Sequence, residues 1–273
     1  MCGIVGFLSG GHFRRPSVLT TYSKVIQVLK DAPSRNEWDK VDDAVSTLAG
    51  SFDEMMSFAS FRDVVCDHSS KELFLALASA LKGALDSVTR HIAEGGSSDL
   101  LRKLNESLRD YLWQVEVEVL GVEDKLAAIL PDPESKTNVP RLFLAWAIER
   151  VLGSLDKLEV RGRDSAGITI ALPLKADWQA KPDFDAELTR RTAIDETASG
   201  DAVLSTSNGH RVFRVMHKVA NLVGKLGDNG ATLRAAIKAD SLLWTAADAL
   251  DGVNIVAHTR WASNGHITIS NCH

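Results

Sequence analysis

From Ser17 to about Val139, apolar residues return every third or fourth position, the repeat of a helix with one buried face. Val18, Tyr22, Val25, Ile26 and Leu29 form one stripe; Trp38, Val41, Val45 and Leu48 form a second. Leu73, Leu77, Leu81, Leu85, Val88 and Ile92 form a third, and Leu101, Leu104, Leu108, Tyr111, Leu112 and Val115 a fourth. Gly95-Gly96 divides the third from the fourth, and Ser97 or Ser98 stands where an N-cap is needed. Such stripes are buried most readily against one another, so residues 17–139 are expected to be an all-helical insertion. Its histidines, His68 and His91, lack an evident chemical partner and read as surface or packing residues.

Both flanks have a different texture. Ile4 to Leu8 is short, apolar and bounded by Gly3 and Gly10-Gly11, which predicts a buried strand. Beyond Pro131 and Pro133, Pro140 suits the first turn of a helix, and Leu144, Ile148, Val151, Leu152, Leu155 and Leu158 supply that helix with an apolar face. The strand Ile168–Leu172 follows. Residues 173–202 read as a loop, and Val203 to Val215 as a hairpin around Asn208-Gly209. Leu233 to Leu250 reads as helical, and Asn254 to His258 as a last strand. The expected organisation is an α+β domain made of residues 2–16 and 140–273, interrupted by the helices.

Composition narrows the function classes. Lys plus Arg is 31 and Asp plus Glu is 36, a net charge of −5 that offers no footprint for nucleic acid or an anionic membrane. The longest apolar stretch, Leu73 to Leu81, is interrupted by Ser79 and far short of a bilayer span of about 20 residues. Three cysteines, Cys2, Cys66 and Cys272, are too few for a disulfide framework, so a reducing, cytoplasmic setting is expected. Gly224-Lys225-Leu226-Gly227 lacks the spacing of a phosphate loop and reads as a turn. No metal site and no cofactor is implied.

Three places could carry chemistry. If Met1 is removed, Cys2 carries a thiol and an α-amine on one residue. An amine with a pKa of about 7.7–8.0 can take the thiol proton near pH 8. From Cys2 alone, a buried structural cysteine is the commoner role. Arg260, just past a strand end, can fork onto a carboxylate, or form a surface ion pair. Arg161-Gly162-Arg163-Asp164-Ser165-Ala166-Gly167 lies between an apolar helix and an apolar strand. There Asp164 can pair with either arginine, at a site or at a structural corner.

Taken together and in this order, Met1-Cys2-Gly3-Ile4-Val5-Gly6, Arg161 to Gly167, and Ala257-His258-Thr259-Arg260-Trp261-Ala262-Ser263-Asn264-Gly265 resemble the class II glutamine amidotransferases, which are N-terminal nucleophile hydrolases. They are most similar to the branch of glutamine–fructose-6-phosphate aminotransferases (isomerizing). The resemblance covers residues 2–16 and 140–273. It implies a four-layer αββα sandwich with Cys2 as the nucleophile on L-glutamine. It also implies Arg260, Trp261, Ser263 and Gly265 at the substrate, Arg161 and Asp164 in support, and ammonia passed to a C-terminal sugar-phosphate isomerase domain acting on fructose 6-phosphate. Another acceptor, an inactive glutaminase-like interaction module and a homo-oligomeric assembly are compatible with the same residues.

Departures from the family are visible. Ser263 and Asn264 stand where it often has Thr and His, and Asn271-Cys272-His273 where it has Asn-Ala-His-Pro. The family's oxyanion-hole Asn-Gly pair and amine-binding aspartate lie beyond the last residue. An oxyanion donor is worth about 2.7–4 kcal/mol in the transition state. The 273 residues alone are therefore expected to have little or no glutaminase activity.

Overall fold

The computed structural model describes residues 3–10, 19–96, 98–192, 198–207, 209–220, 225–261 and 266–272, apart from the side chains of Leu19, Thr20 and Arg161. Two compact units emerge: Met1–His12 with Lys125–His273, and Phe13–Asp124. The expected insertion extended to residue 139; the segment after Asp124 belongs instead with the sheet-bearing unit.

The second unit is helical. It contains α1 (Leu19–Asp31), α2 (Trp38–Gly50), α3 (Phe52–Met55), α4 (Phe58–Cys66), α5 (His68–Ala93) and α6 (Asp99–Trp113), the last running into a π-helical segment, Gln114–Leu120. The periodic stripes supply its core. Tyr22, Leu29, Val41, Leu48, Leu77, Leu81, Leu104 and Leu108 are all buried in one cluster. Ends are set by side-chain caps: Ser57, Asp67 and Ser98 each accept a hydrogen bond from a backbone N–H of the first turn of α4, α5 and α6. Of the two cap candidates before α6, Ser97 lies outside the described residues. His91 has a packing role, its ring 5.2 Å from that of Trp38.

Among the described residues, the first unit holds one antiparallel sheet of five strands, in the order β1-β5-β2-β4-β3. The strands are β1 (Gly3–Gly10), β2 (Ser165–Leu174), β3 (Ala202–Ser207), β4 (His210–Ala220) and β5 (Gly252–Arg260). The sequence after Asp124 adds α8 (Val139–Leu158), α9 (Pro182–Thr192), α10 (Asp228–Lys238) and α11 (Ser241–Ala247), while α7 (Val122–Ala127) spans the junction. Asn138 caps α8 by accepting from Arg141 N, with Pro140 in its first turn.

Side-chain alternation decides which face of the sheet is covered. Val253, Ile255, Ala257 and Thr259 of β5 are buried, and α8 packs on β5 and β1. Phe7 meets Trp146 of α8 edge-on, with ring centroids 5.6 Å apart. On the opposite face Ile4, Leu8 and Val256 are exposed.

Three expectations need correction. β1 is not a buried strand: it lies at the sheet's edge and alternates, with Ile4 and Leu8 turned to solvent. The segment 173–202 is not all loop, since Pro182–Thr192 is a helix anchored by Phe184 and Arg191. The run from Leu233 to Leu250 is not one helix. Asp240 ends the first part and starts the second, its carboxylate accepting from Leu243 N at 3.1 Å.

Candidate active site

The sheet brings together the neighbourhoods of all three sequence blocks. Gly3, the residue after Cys2, pairs with Thr259, the residue before Arg260. Its N–H donates to the buried Thr259 Oγ1 at 3.3 Å. Ser165, at the end of the second block, pairs with Arg260 itself. One end of the β1-β5-β2 trio therefore gathers three segments that are remote from one another along the chain.

Close approach explains two glycines. A Cβ on Gly3 would lie 2.9 Å from Leu158 Cδ1 of α8, so only glycine lets β1 settle on that helix unstrained. A Cβ on Gly162 would lie 2.9 Å from both Arg260 C and Trp261 N. The turn 162–164 thus lies directly on the backbone that leaves β5, and Asp164 N donates to Arg260 O at 3.1 Å. The turn is fixed from behind as well. Asn229 Nδ2 donates to Arg163 O at 2.9 Å, and the buried Glu159 carboxylate accepts from Gly227 N at 2.5 Å. Gly227 has φ +94, a left-handed conformation that favours glycine.

Alternation along β5 puts His258 and Arg260 on the face away from α8. Cys272 lies beside them, 1% exposed, with its Sγ 3.6 Å from His258 Nε2. Burial pushes the Cys272 thiol above its usual range, against the opposing pull of Ser165, Lys218 and Arg260. It is a protonated, shielded thiol, unlike an exposed low-pKa nucleophile. Ser165 is fully buried and Lys218 nearly so.

The sequence-derived residues distribute as follows. Arg260 is half-buried at the strand end, Trp261 is half-exposed beyond it, and Asp164 is held in the adjoining turn. Cys2, Ser263 and Gly265 lie outside the described residues, as does the side chain of Arg161. Sequence reasoning assigned no role to Ser165, Lys218, His258 or Cys272. Their signal was two-residue alternation: on β5 it pairs His258 with Arg260 on one face, on β2 it places Ser165 beside them, and on β4 it adds Lys218. Cys272 comes from a separate segment and carried no such signal.

Among the described residues, no group of three His, Cys, Asp or Glu side chains could hold a metal ion. No described helix is long and apolar enough to cross a membrane. No protein-family model, curated protein or solved structure matches the chain.

Proposed function

We propose that the sheet-bearing unit is the glutamine-hydrolysing part of a glutamine–fructose-6-phosphate aminotransferase, with Cys2 as the nucleophile. One observation carries this reading: the pairing of Gly3 with Thr259 and of Ser165 with Arg260. It puts the residue after Cys2 opposite the residue before Arg260.

In this reading, removal of Met1 frees the Cys2 α-amine. The thiol sulfur attacks the side-chain amide carbon of glutamine while the amine takes the thiol proton. That proton passes to the leaving nitrogen, ammonia departs, and a γ-glutamyl thioester remains. Water hydrolyses the thioester to glutamate and restores the thiol. Arg260 grips the substrate carboxylate through two parallel hydrogen bonds. Trp261, Ser263 and Gly265 line the pocket, and Arg161 and Asp164 hold the turn behind it. The four-layer αββα arrangement would add a second sheet against the face that carries Ile4, Leu8 and Val256. Fructose 6-phosphate, bound by an isomerase domain, is the acceptor that best suits Thr259-Arg260-Trp261-Ala262, and the cytoplasm is the setting.

Mass spectrometry tests the chemistry without requiring turnover. The intact protein should begin at Cys2, and a diazoketone analogue of glutamine should alkylate Cys2 ahead of Cys66 and Cys272. Arg260→Ala should slow that labelling by about tenfold or more, the loss expected for a charged hydrogen-bond partner. Retained Met1, or labelling spread over all three cysteines, would overturn the proposal.

A further inference from the structure

The covered face of β5 is apolar until its last inward residue. Val253, Ile255 and Ala257 are buried there, and the next inward position is Thr259, fully buried as well. Alternation alone would accept valine at this place, and a buried hydroxyl costs free energy unless it is hydrogen-bonded. The neighbours of Thr259 across the ladder are Gly3 on β1 and Ala166 on β2, whose side chains offer it no polar group. Its hydroxyl oxygen accepts instead from the backbone N–H of Gly3, at 3.3 Å.

We propose that Thr259 is a positioning residue whose hydroxyl lines up Cys2 with Arg260, an inference that rests on the reading of Cys2 as the nucleophile. The Gly3 N–H belongs to the peptide unit that joins Cys2 to Gly3, and a peptide unit is planar. Pinning that N–H fixes the plane, and with it the direction in which the chain continues to Cys2. The acceptor is itself stiff, because a β-branched side chain has a restricted χ1. Its backbone runs directly on into Arg260. One side chain thereby ties the residue after the nucleophile to the residue before the guanidinium.

The tie matters because β1 pairs, among the described residues, with β5 alone, so its leading end is held from one side. Loss of the hydroxyl takes an acceptor from the buried Gly3 N–H, and the leading peptide gains by turning toward another. Thiol and amine sit on one residue and move together, so their proton exchange survives while their line-up with Arg260 is lost. A misplacement of about 1 Å can cost about 100-fold in rate. Thr259 thus governs how a carboxylate-bearing substrate meets the thiol, and leaves the thiol's own reactivity alone.

Labelling rates at Cys2 of the full chain, read by mass spectrometry, test this with two reagents. The diazoketone analogue of glutamine presents a carboxylate to Arg260; iodoacetamide, small and neutral, does not. Thr259→Val keeps the shape and removes the acceptor, whereas Thr259→Ser keeps the hydroxyl and loses a methyl group. Thr259→Val should slow the diazoketone about tenfold and change the iodoacetamide rate by less than about twofold. Thr259→Ser should restore most of the diazoketone rate. A packing role predicts the opposite order, since valine fills the site and serine leaves a gap. In an Arg260→Ala background, Thr259→Val should slow the diazoketone little further, because both act through one alignment. A wild-type chain that keeps Met1, or whose Cys2 stays unlabelled, sinks the glutaminase reading and this inference with it. Where wild-type Cys2 is labelled, a Thr259→Val rate equal to wild type, a serine variant slower than the valine one, or equal losses with both reagents would overturn the role of Thr259 alone.

Discussion

Replacing Asp240 by asparagine should cost the sheet-bearing unit a large share of its stability. The Asp240 side chain is 1% exposed and that of Arg191 8%. Arg191 Nη1 and Nη2 donate to the two carboxylate oxygens at 2.7 and 3.0 Å, and His217 Nε2 lies 2.9 Å from one of them. The same carboxylate caps α11 through Leu243 N, while Arg191 Nε donates to Gly200 O at 2.6 Å. One buried anion thereby joins α9, β4 and the start of α11. Burial by itself would raise the Asp240 pKa; the adjacent His217 ring and the hydrogen-bonded Arg191 guanidinium more than reverse this and hold it well below the usual carboxylate range. The Asp240→Asn side chain would keep the shape but leave the Arg191 guanidinium buried without its counter-charge, a loss of about 3–5 kcal/mol. That is a large fraction of the 5–15 kcal/mol typical of a domain. Adding Arg191→Met should recover part of it, because the stranded cation is then gone.

The pH dependence has a definite sign. A carboxyl whose pKa is depressed by folding contributes stability above its unfolded value, near 3.9, and loses it as pH falls toward the folded value. The gap between wild type and Asp240→Asn should therefore narrow as pH falls below about 4. Urea-dependent hydrogen exchange of peptides from β4 and α11 reads this unit apart from the helical one. A loss under about 1 kcal/mol at pH 7, or a gap that widens on acidification, would refute the assignment of the energy to this charge pair.

Other substitutions probe other contacts. Gly162→Ala should cost about 1–3 kcal/mol, read as a lower Tm, because the new methyl group meets the backbone of Arg260 and Trp261 at 2.9 Å. Arg234→Met removes the guanidinium that bonds Glu149 at 2.9 Å through both Nε and Nη2 and reaches Asp156 through Nη2. Burial already raises the Glu149 pKa, with Arg234 opposing it. The variant's Glu149 should rise further and take up a proton, so its deficit should shrink as pH falls from 7 toward 5 and grow as pH rises. In the native protein iodoacetamide should modify the exposed Cys66 but reach the buried Cys272 only as fast as the chain opens, as peptide mapping over time would show.

The helical unit was legible because its apolar stripes are long and regular: Leu77, Leu81, Leu104 and Leu108 are all fully buried. The sequence blocks around Gly3, Gly162 and Arg260 were legible as motifs, but what joins them is pairing between strands remote in sequence, which no local window contains. α9 escaped notice because little more than Phe184 and Arg191 is buried in an otherwise polar segment. The break at Asp240 hid inside a continuous apolar period, where one capping carboxylate decides between one helix and two. β1 misled for a different reason. Hydropathy reports which side chains water disfavours, not whether a neighbour exists to cover them, and Ile4 and Leu8 remain uncovered.

The pairing of β1 with β5 also dictates an order of events during synthesis. Gly10 is polymerised roughly 240 residues before its partner Gly252, which at about 5–20 residues per second is a wait of some 12–50 s. The contacts of the helical core all lie between residues 22 and 119, so that unit can close while the ribosome is still translating. For that interval an uncharged apolar strand has nothing to pair with, and the nascent chain depends on chaperones, or on its own collapse, to keep it from other molecules.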